Sequence, residues 1–192
     1  LHMVNPGSFN LILASKSPRR QNLLRDLGLV FEIRTKEVEE VYPPQLRKEE
    51  VAIFLSELKA AAFTKELKTD DLLITSDTIV CINDQIIGKP KDKKHAVEML
   101  QTLSGNFHEV ITAVTLTSLH KQHTFYDVTK VYFKELSIDE INYYLDNYQP
   151  YDKAGSYGIQ EWIGYIGIER IEGSYFNVMG LPVQQLYKQL VQ

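Results

Sequence analysis

The apolar and polar positions change period repeatedly along the chain, and each change marks an element. Phe9 to Ala14 is an almost unbroken apolar run, the pattern of a strand buried on both faces, and it ends in the polar turn Ser15-Lys16-Ser17. Ser17 suits an N-cap and Pro18 the first helical position; Leu23, Leu24 and Leu27 then share one side, and Gly28 supplies the stop. Phe31, Ile33 and Thr35 alternate with Glu32 and Arg34, which predicts a half-exposed strand running into the acidic stretch Glu37-Val38-Glu39-Glu40. Pro43 and Pro44 break the chain, and Val51, Phe54, Leu55, Leu58 and Ala62 follow at helical spacing with Lys59 beside the stripe.

Leu72 to Ile82 predicts a second apolar strand, interrupted at Thr75-Ser76-Asp77-Thr78, with Asp84 to Gly88 returning as a hairpin. Ala96, Met99, Leu100 and Leu103 form a helix between Asp92 and Gly105. Phe107–Leu119 and His123–Phe133 both alternate across a polar His120-Lys121-Gln122, which predicts a long antiparallel pair. Ser137 and Glu140 make a capping box for a helix carrying Ile141, Tyr144, Leu145 and Tyr148. A loop over Asp152–Gln160, strands around Trp162–Ile171 and a last helix with Val183, Leu186, Tyr187 and Leu190 complete the reading. Helices and strands alternate throughout, so the fold class is α/β or α+β with a mixed sheet.

Composition narrows the classes. A chain of 192 residues buries roughly 70% of its extended surface, enough for one core without staples. Hydrophobic residues make 44% and charged residues 24%, which argues against disorder and coiled coils. The 21 Lys and Arg against 25 Asp and Glu leave a net charge of −4, so binding nucleic acid through bulk charge is disfavoured while a site for one nucleotide is not. Cys81 is the single cysteine, which excludes an intrachain disulfide and a thiolate zinc cluster and fits a reducing cytoplasm. The apolar runs fall far short of the ~20 residues of a membrane span, and nothing resembles a signal peptide. Leu1 and His2 precede Met3 and read as a cloning remnant, leaving residues 3–192 as one domain.

Candidate chemistry begins at Ser15-Lys16-Ser17-Pro18-Arg19-Arg20, where a buried strand hands over to a helix N-terminus. Free N–H groups, the positive dipole end, hydroxyls and two guanidiniums can cradle a triphosphate. A capped helix start with solvated arginines is the plain alternative, but two arginines in a first turn oppose the dipole, a conflict that an anion would remove. Among the carboxylates, Asp77 follows a strongly apolar strand, and projected from a strand end into a cleft it can hold a metal or take a proton from water. Glu37 and Glu40 read more simply as a solvated acidic loop. Gly88-Lys89-Pro90 is no Walker A loop, though Lys89 can reach a phosphate. The segment Asp152–Gln160, with Gly155 and Gly158, suits a ligand-facing loop or an ordinary turn equally well. Cys81 reads as a buried structural thiol, and His120 with His123 as hairpin residues.

Six blocks in order carry a resemblance: Leu13-Ala14-Ser15-Lys16-Ser17-Pro18-Arg19-Arg20, Ser76-Asp77-Thr78-Ile79-Val80, Gly88-Lys89-Pro90, Leu103-Ser104-Gly105, the loop from Asp152 to Gln160, and Gly173 to Pro182. Together they are similar to the Maf family of nucleoside triphosphate pyrophosphatases from about Leu11 to the C-terminus. The resemblance implies an elongated mixed sheet flanked by helices, with two lobes around a central cleft. It also implies hydrolysis of a nucleoside triphosphate to monophosphate and pyrophosphate with Mg²⁺ or Mn²⁺, and a homodimer. Carried onto this sequence, the catalytic aspartate falls on Asp77, a metal-binding glutamate on Glu39, and phosphate contacts on Ser15, Arg19, Arg20, Lys59 and Lys89. Arg19, Thr78 and Gln160 match the subgroup acting on dTTP and UTP; a glutamine amide, donor and acceptor at once, can pair with the N3–H and carbonyl edge of those bases. Two rivals stay open: a pyrophosphatase for modified purine nucleotides of the 7-methyl-GTP or ITP type, and a non-catalytic nucleotide-binding septation regulator.

Overall fold

The computed structural model describes residues 9–191, so the reading of Leu1 to Met3 lies outside the described residues. Strand β1 (Asn10–Leu13) leads to helix α1 (Pro18–Asp26), strand β2 (Phe31–Ile33) and helix α2 (Glu49–Ala61). Strand β3 (Asp71–Ile82) and strand β4 (Gln85–Ile87) form a hairpin, followed by helix α3 (Lys93–Leu103) and the long pair β5 (Phe107–Thr117) and β6 (Gln122–Phe133). Helix α4 (Ile138–Tyr148), helix α5 (Trp162–Gly167), strand β7 (Ile168–Glu172) and helices α6 (Tyr175–Met179) and α7 (Val183–Leu190) close the chain. The strands make one mixed sheet in the order β2-β1-β3-β5-β6-β7, parallel across β2, β1 and β3 and antiparallel beyond, as the alternation of elements implied.

Two strands share one edge of β3. β1 pairs with it from Asp71 to Ile74, and β4 pairs with it from Val80 to Ile82, while β5 occupies the opposite edge from Leu73 to Cys81. Among the described residues, Thr75 to Ile79 therefore have an open edge in the middle of a twelve-residue strand. This corrects the expectation of an interruption: Thr75-Ser76-Asp77-Thr78 belongs to the strand, and Asp77 stands at its centre instead of its end. Helix α2 satisfies Thr75 and Asp77, Thr78 is met by Arg20 and Thr112, and Ser76 Oγ is buried without a hydrogen-bond partner among the described residues. Thr75 Oγ1 donates to the Ser56 carbonyl at 2.8 Å, and Ser56 Oγ lies 2.7 Å from Thr115 Oγ1.

Apolar packing brackets this polar belt. On one face of β3, Ile74 joins Leu13, Leu24, Val114 and Leu186 in a cluster under α1 and α7. Val80 and Ile82 join Leu100, Leu103, Val110, Phe133 and Tyr144 in another under α3 and α4. Ser76 and Thr78 lie between the two, opposite Val114 and Thr112 of β5. On the other face Val51 and Leu55 of α2 cover Ile79, Ile111 and Ala113. Each large side chain so buried contributes about 1.5–3 kcal/mol, so a polar gap in the sheet is sustainable.

Residues 162–171 also depart from expectation. The segment reads as strands, but Trp162–Gly167 is a short helix and the strand starts at Ile168. A Cβ on Gly164 would come within 1.8 Å of the Ile159 carbonyl oxygen, so the chain turns tightly where only glycine fits. The capping box of Ser137 and Glu140, the Asp92 cap and the Ser17 cap all form.

Candidate active site

Local signals build the start of α1. Ser17 Oγ accepts from the Arg20 amide at 3.3 Å, Pro18 takes the first turn, and Ser15 Oγ accepts from the Ser17 amide at 3.2 Å. This places Arg19 and Arg20 beside the turn that ends α6. Arg19 Nε donates to the Met179 carbonyl at 3.3 Å and Arg20 Nε to the Gly180 carbonyl at 2.7 Å, while an Arg20 Nη2 donates to Thr78 Oγ1 at 2.8 Å. Burial lowers the Arg20 guanidinium from its ordinary value and nearby Asp77 counters the effect.

Asp77 projects to the α2 face. Lys59 Nζ donates to Asp77 Oδ1 at 2.9 Å and to the Ser76 carbonyl at 3.2 Å, and it lies 3.2 Å from Glu40 Oε1. Asp77 is 6% exposed. Burial pushes its carboxyl above the ordinary range, against the pull of Lys59 and Arg20. The open edge of β3 joins the two faces in one cavity of about 430 Å³.

Ser15, Arg19, Arg20, Lys59, Asp77, Thr78 and Lys89 all line that cavity; Glu39 and Gln160 do not. Glu39 is exposed, and its neighbour Glu40 lines the wall and meets Lys59. Two expectations are thereby corrected: Glu37 and Glu40, not Glu39, line the cavity, and Glu40, though exposed, is paired with Lys59 instead of standing free in a solvated acidic loop. No periodicity runs through residues 34–48, so only the three-dimensional contact with Lys59 separates adjacent glutamates. Lys59 meets carboxylates here, whereas the resemblance implies phosphate contact. Gln160 Oε1 is buried without a hydrogen-bond partner among the described residues.

The loop over residues 152–160 forms the far wall. Gly155, in the left-handed region at φ 72°, donates its N–H to the Gly88 carbonyl at 3.1 Å, which ties this loop to the turn carrying Lys89. Lys153 also lines the cavity, with Nζ 3.2 Å from Asp152 and 3.9 Å from Glu161; Glu161 accepts from the Tyr144 hydroxyl at 2.7 Å. Lys153 stood in a segment singled out from sequence, but no local signal separated it from a turn lysine. At the mouth, Lys16 pairs with Glu37. Val80, Val110 and Tyr157 supply an apolar end.

The oxygens around Lys59 Nζ belong to two carboxylates and a carbonyl, all hard ligands of the kind that Mg²⁺ and Mn²⁺ take. The described residues hold no cluster of three or more His, Cys, Asp or Glu arranged for a metal. Mg²⁺ usually takes one or two carboxylates and completes its shell with substrate phosphate and water, and these two carboxylates are of the chemistry that such a site uses.

A gap in a mixed sheet, faced by arginines at a helix start on one side and by acids on the other, defines a phosphate-handling α/β protein. Residues 10–192 match the family model described as Maf-like protein, and the chain belongs to that family. It is 52% identical over 182 residues to a protein of Flavobacterium johnsoniae called dTTP/UTP pyrophosphatase, covering 95% of this chain and 94% of that one. A Bacteroides fragilis protein of the same name is 50% identical over 191 residues, covering 99% of each chain. A third, from Christiangramia forsetii, is 53% identical over 180 residues, covering 94% of this chain and 92% of that one. Among solved structures, a nucleoside-triphosphatase/dITP/XTP pyrophosphatase of Mycobacterium abscessus is a distant likeness, 12% identical with a TM-score of 0.42 over 65% of this chain and 74% of that one.

Proposed function

We propose that this protein is a metal-dependent pyrophosphatase that hydrolyses dTTP and UTP to the monophosphate and pyrophosphate. The observation that carries the reading is that Asp77, held by Lys59, and the arginines of α1 open into one cavity from opposite faces of β3. The names of relatives about half identical over nearly the whole chain support the same substrates.

In this reading Arg19 and Arg20 hold the triphosphate at the start of α1, with Ser15 and Lys89 on its flanks. Asp77 accepts a proton from water attacking the α-phosphorus; a carboxyl raised by burial is a better base near neutral pH than an ordinary one. The phosphoanhydride bond breaks as the water oxygen bonds phosphorus, and the pyrophosphate leaves against Arg19, Arg20 and Lys89. Glu40, Asp77 and the Ser76 carbonyl would hold a divalent cation, which supplies charge neutralisation to the phosphates. Val80, Val110 and Tyr157 give the base an apolar seat. Gln160 pairs with the base edge only if the 152–160 loop shifts, since in this structure it does not line the cavity. A cytoplasmic homodimer belongs to the same reading; no helix among the described residues is long and apolar enough to cross a membrane.

Pyrophosphate release from dTTP, UTP, ITP and 7-methyl-GTP, with and without Mg²⁺ or Mn²⁺, tests the proposal. Turnover of the two pyrimidine nucleotides that disappears with EDTA is expected. Preference for either purine substrate overturns the base assignment, and tight binding without turnover makes the protein a sensor.

A further inference from the structure

We infer that Thr112 and Asn177 are positioning residues for Arg20, acting through a one-way chain of hydrogen bonds; the inference rests on the reading that Arg20 binds the triphosphate. Proton accounting sets the direction. Thr112 Oγ1 lies 3.0 Å from the Asn177 carbonyl, which can only accept, so the single Thr112 proton points there. Thr78 Oγ1 lies 2.9 Å from Thr112 Oγ1 and must then be the donor of that bond. Arg20 Nη2, which can only donate, completes the chain at Thr78 Oγ1. The order is therefore Arg20 to Thr78 to Thr112 to Asn177. Thr78 has no proton left for a nucleotide, and its influence on substrate choice runs through the guanidinium.

The far end of the chain is buried and anchored by hydrogen bonds. Asn177 is fully buried, and the two protons of its Nδ2 are shared among three acceptors, the Val110 carbonyl at 3.1 Å, the Asp127 carbonyl at 3.3 Å and Thr129 Oγ1 at 3.0 Å. Ser174 Oγ caps its amide at 3.2 Å. Helix α6 has five residues, too few to persist by itself, so this side chain pins it to β5 and β6. The Gly180 carbonyl just beyond α6 accepts from Arg20 Nε. Two routes thus lead from Asn177 to the same guanidinium, one through Thr112 and Thr78 and one through the α6 turn. Together they use two of its five N–H groups and orient the other three for an anion. An arginine fixed before the ligand arrives loses less side-chain freedom on binding.

A double-mutant cycle tests this. Thr112→Val keeps the shape and removes the link; a rise of about three- to tenfold in KM for dTTP with kcat little changed is expected, the usual worth of one hydrogen bond. Thr112→Ser should restore KM. In an Arg20→Ala background Thr112→Val should add nothing further. Thr78→Val cuts the chain one link along and should reproduce the rise, which keeps the test open should Thr112→Val fail to fold. Unchanged KM in the folded variants, or an equal rise with Arg20 absent, overturns the inference, because a loosened fold would act independently of Arg20. Should the wild type leave dTTP intact, the pyrophosphatase reading fails by itself. The same cycle, read by calorimetry as affinity for inorganic tripolyphosphate, still decides the coupling: non-additive loss supports it and additive or no loss overturns it.

Discussion

Lys59 Nζ stands 2.9 Å from Asp77 Oδ1 and makes the ammonium the centre of an oxygen set completed by Glu40 and the Ser76 carbonyl. These are the oxygens assigned above to a divalent cation, so ammonium and metal compete for one place. Removing the charge in Lys59→Met should strengthen Mn²⁺ binding to the nucleotide-free protein by about tenfold, equivalent to about 1.4 kcal/mol. Electron paramagnetic resonance of free Mn²⁺ measures this without reference to activity. Weaker Mn²⁺ binding in the variant would mean that the cation is held elsewhere.

Adjacent glutamates offer a second test. Both are exposed, but Glu40 reaches Lys59 and lines the cavity, whereas Glu39 lies outside it. Glu40→Gln should raise the Mg²⁺ concentration needed for half-maximal dTTP hydrolysis by about tenfold, and Glu39→Gln should leave it within about twofold. Asp77→Asn should cut kcat by about a hundredfold or more, the common cost of losing a general base. Metal titrations of the three variants decide the order, and a larger effect at Glu39 would reverse the assignment.

The strand-to-helix handover at Ser15–Arg20 was legible because its signals are local: an apolar run, a cap, a proline and a stopping glycine. The placement of Asp77 was half legible. Sequence marked the residue, but the polar stretch read as a break in β3, since the partners that satisfy Thr75 and Thr78 come from α2 and β5. The open edge depends on where β1 and β4 stop along β3, which no single segment encodes. Thr112 carried no local signal, and Asn177 stood in the Gly173–Pro182 block without any sign of its role, because each acts across about 35 to 65 residues of chain. Trp162–Gly167 misled through its isoleucines, which suit either period, and through glycines that argue against a helix.

Gly164 marks where that helix is forced. A Cβ there would stand 1.8 Å from the Ile159 carbonyl oxygen, which is backbone and cannot swing aside. Gly164→Ala should displace the loop at Ile159 and Gln160 and destabilise the fold by about 1–3 kcal/mol, the range for overpacking. Urea denaturation measures the loss, and a variant as stable as wild type would show that the helix is not held so close.

Acid sensitivity gives a final test. His108 is 1% exposed, its Nε2 lies 2.5 Å from the Tyr157 hydroxyl, and its Nδ1 lacks a partner among the described residues. Burial depresses the imidazole from 6.5 to about 3. Between those values the unfolded chain takes up a proton that the folded one refuses. The stability associated with neutral His108 is therefore complete above about pH 6.5 and falls as pH drops toward 3, by about 1.4 kcal/mol per pH unit. Wild type should lose about 2 kcal/mol more than His108→Gln between about pH 7 and pH 5, since the carboxylates titrate alike in both. Parallel urea titrations measure the difference, and equal losses would place the His108 pKa near its unfolded value.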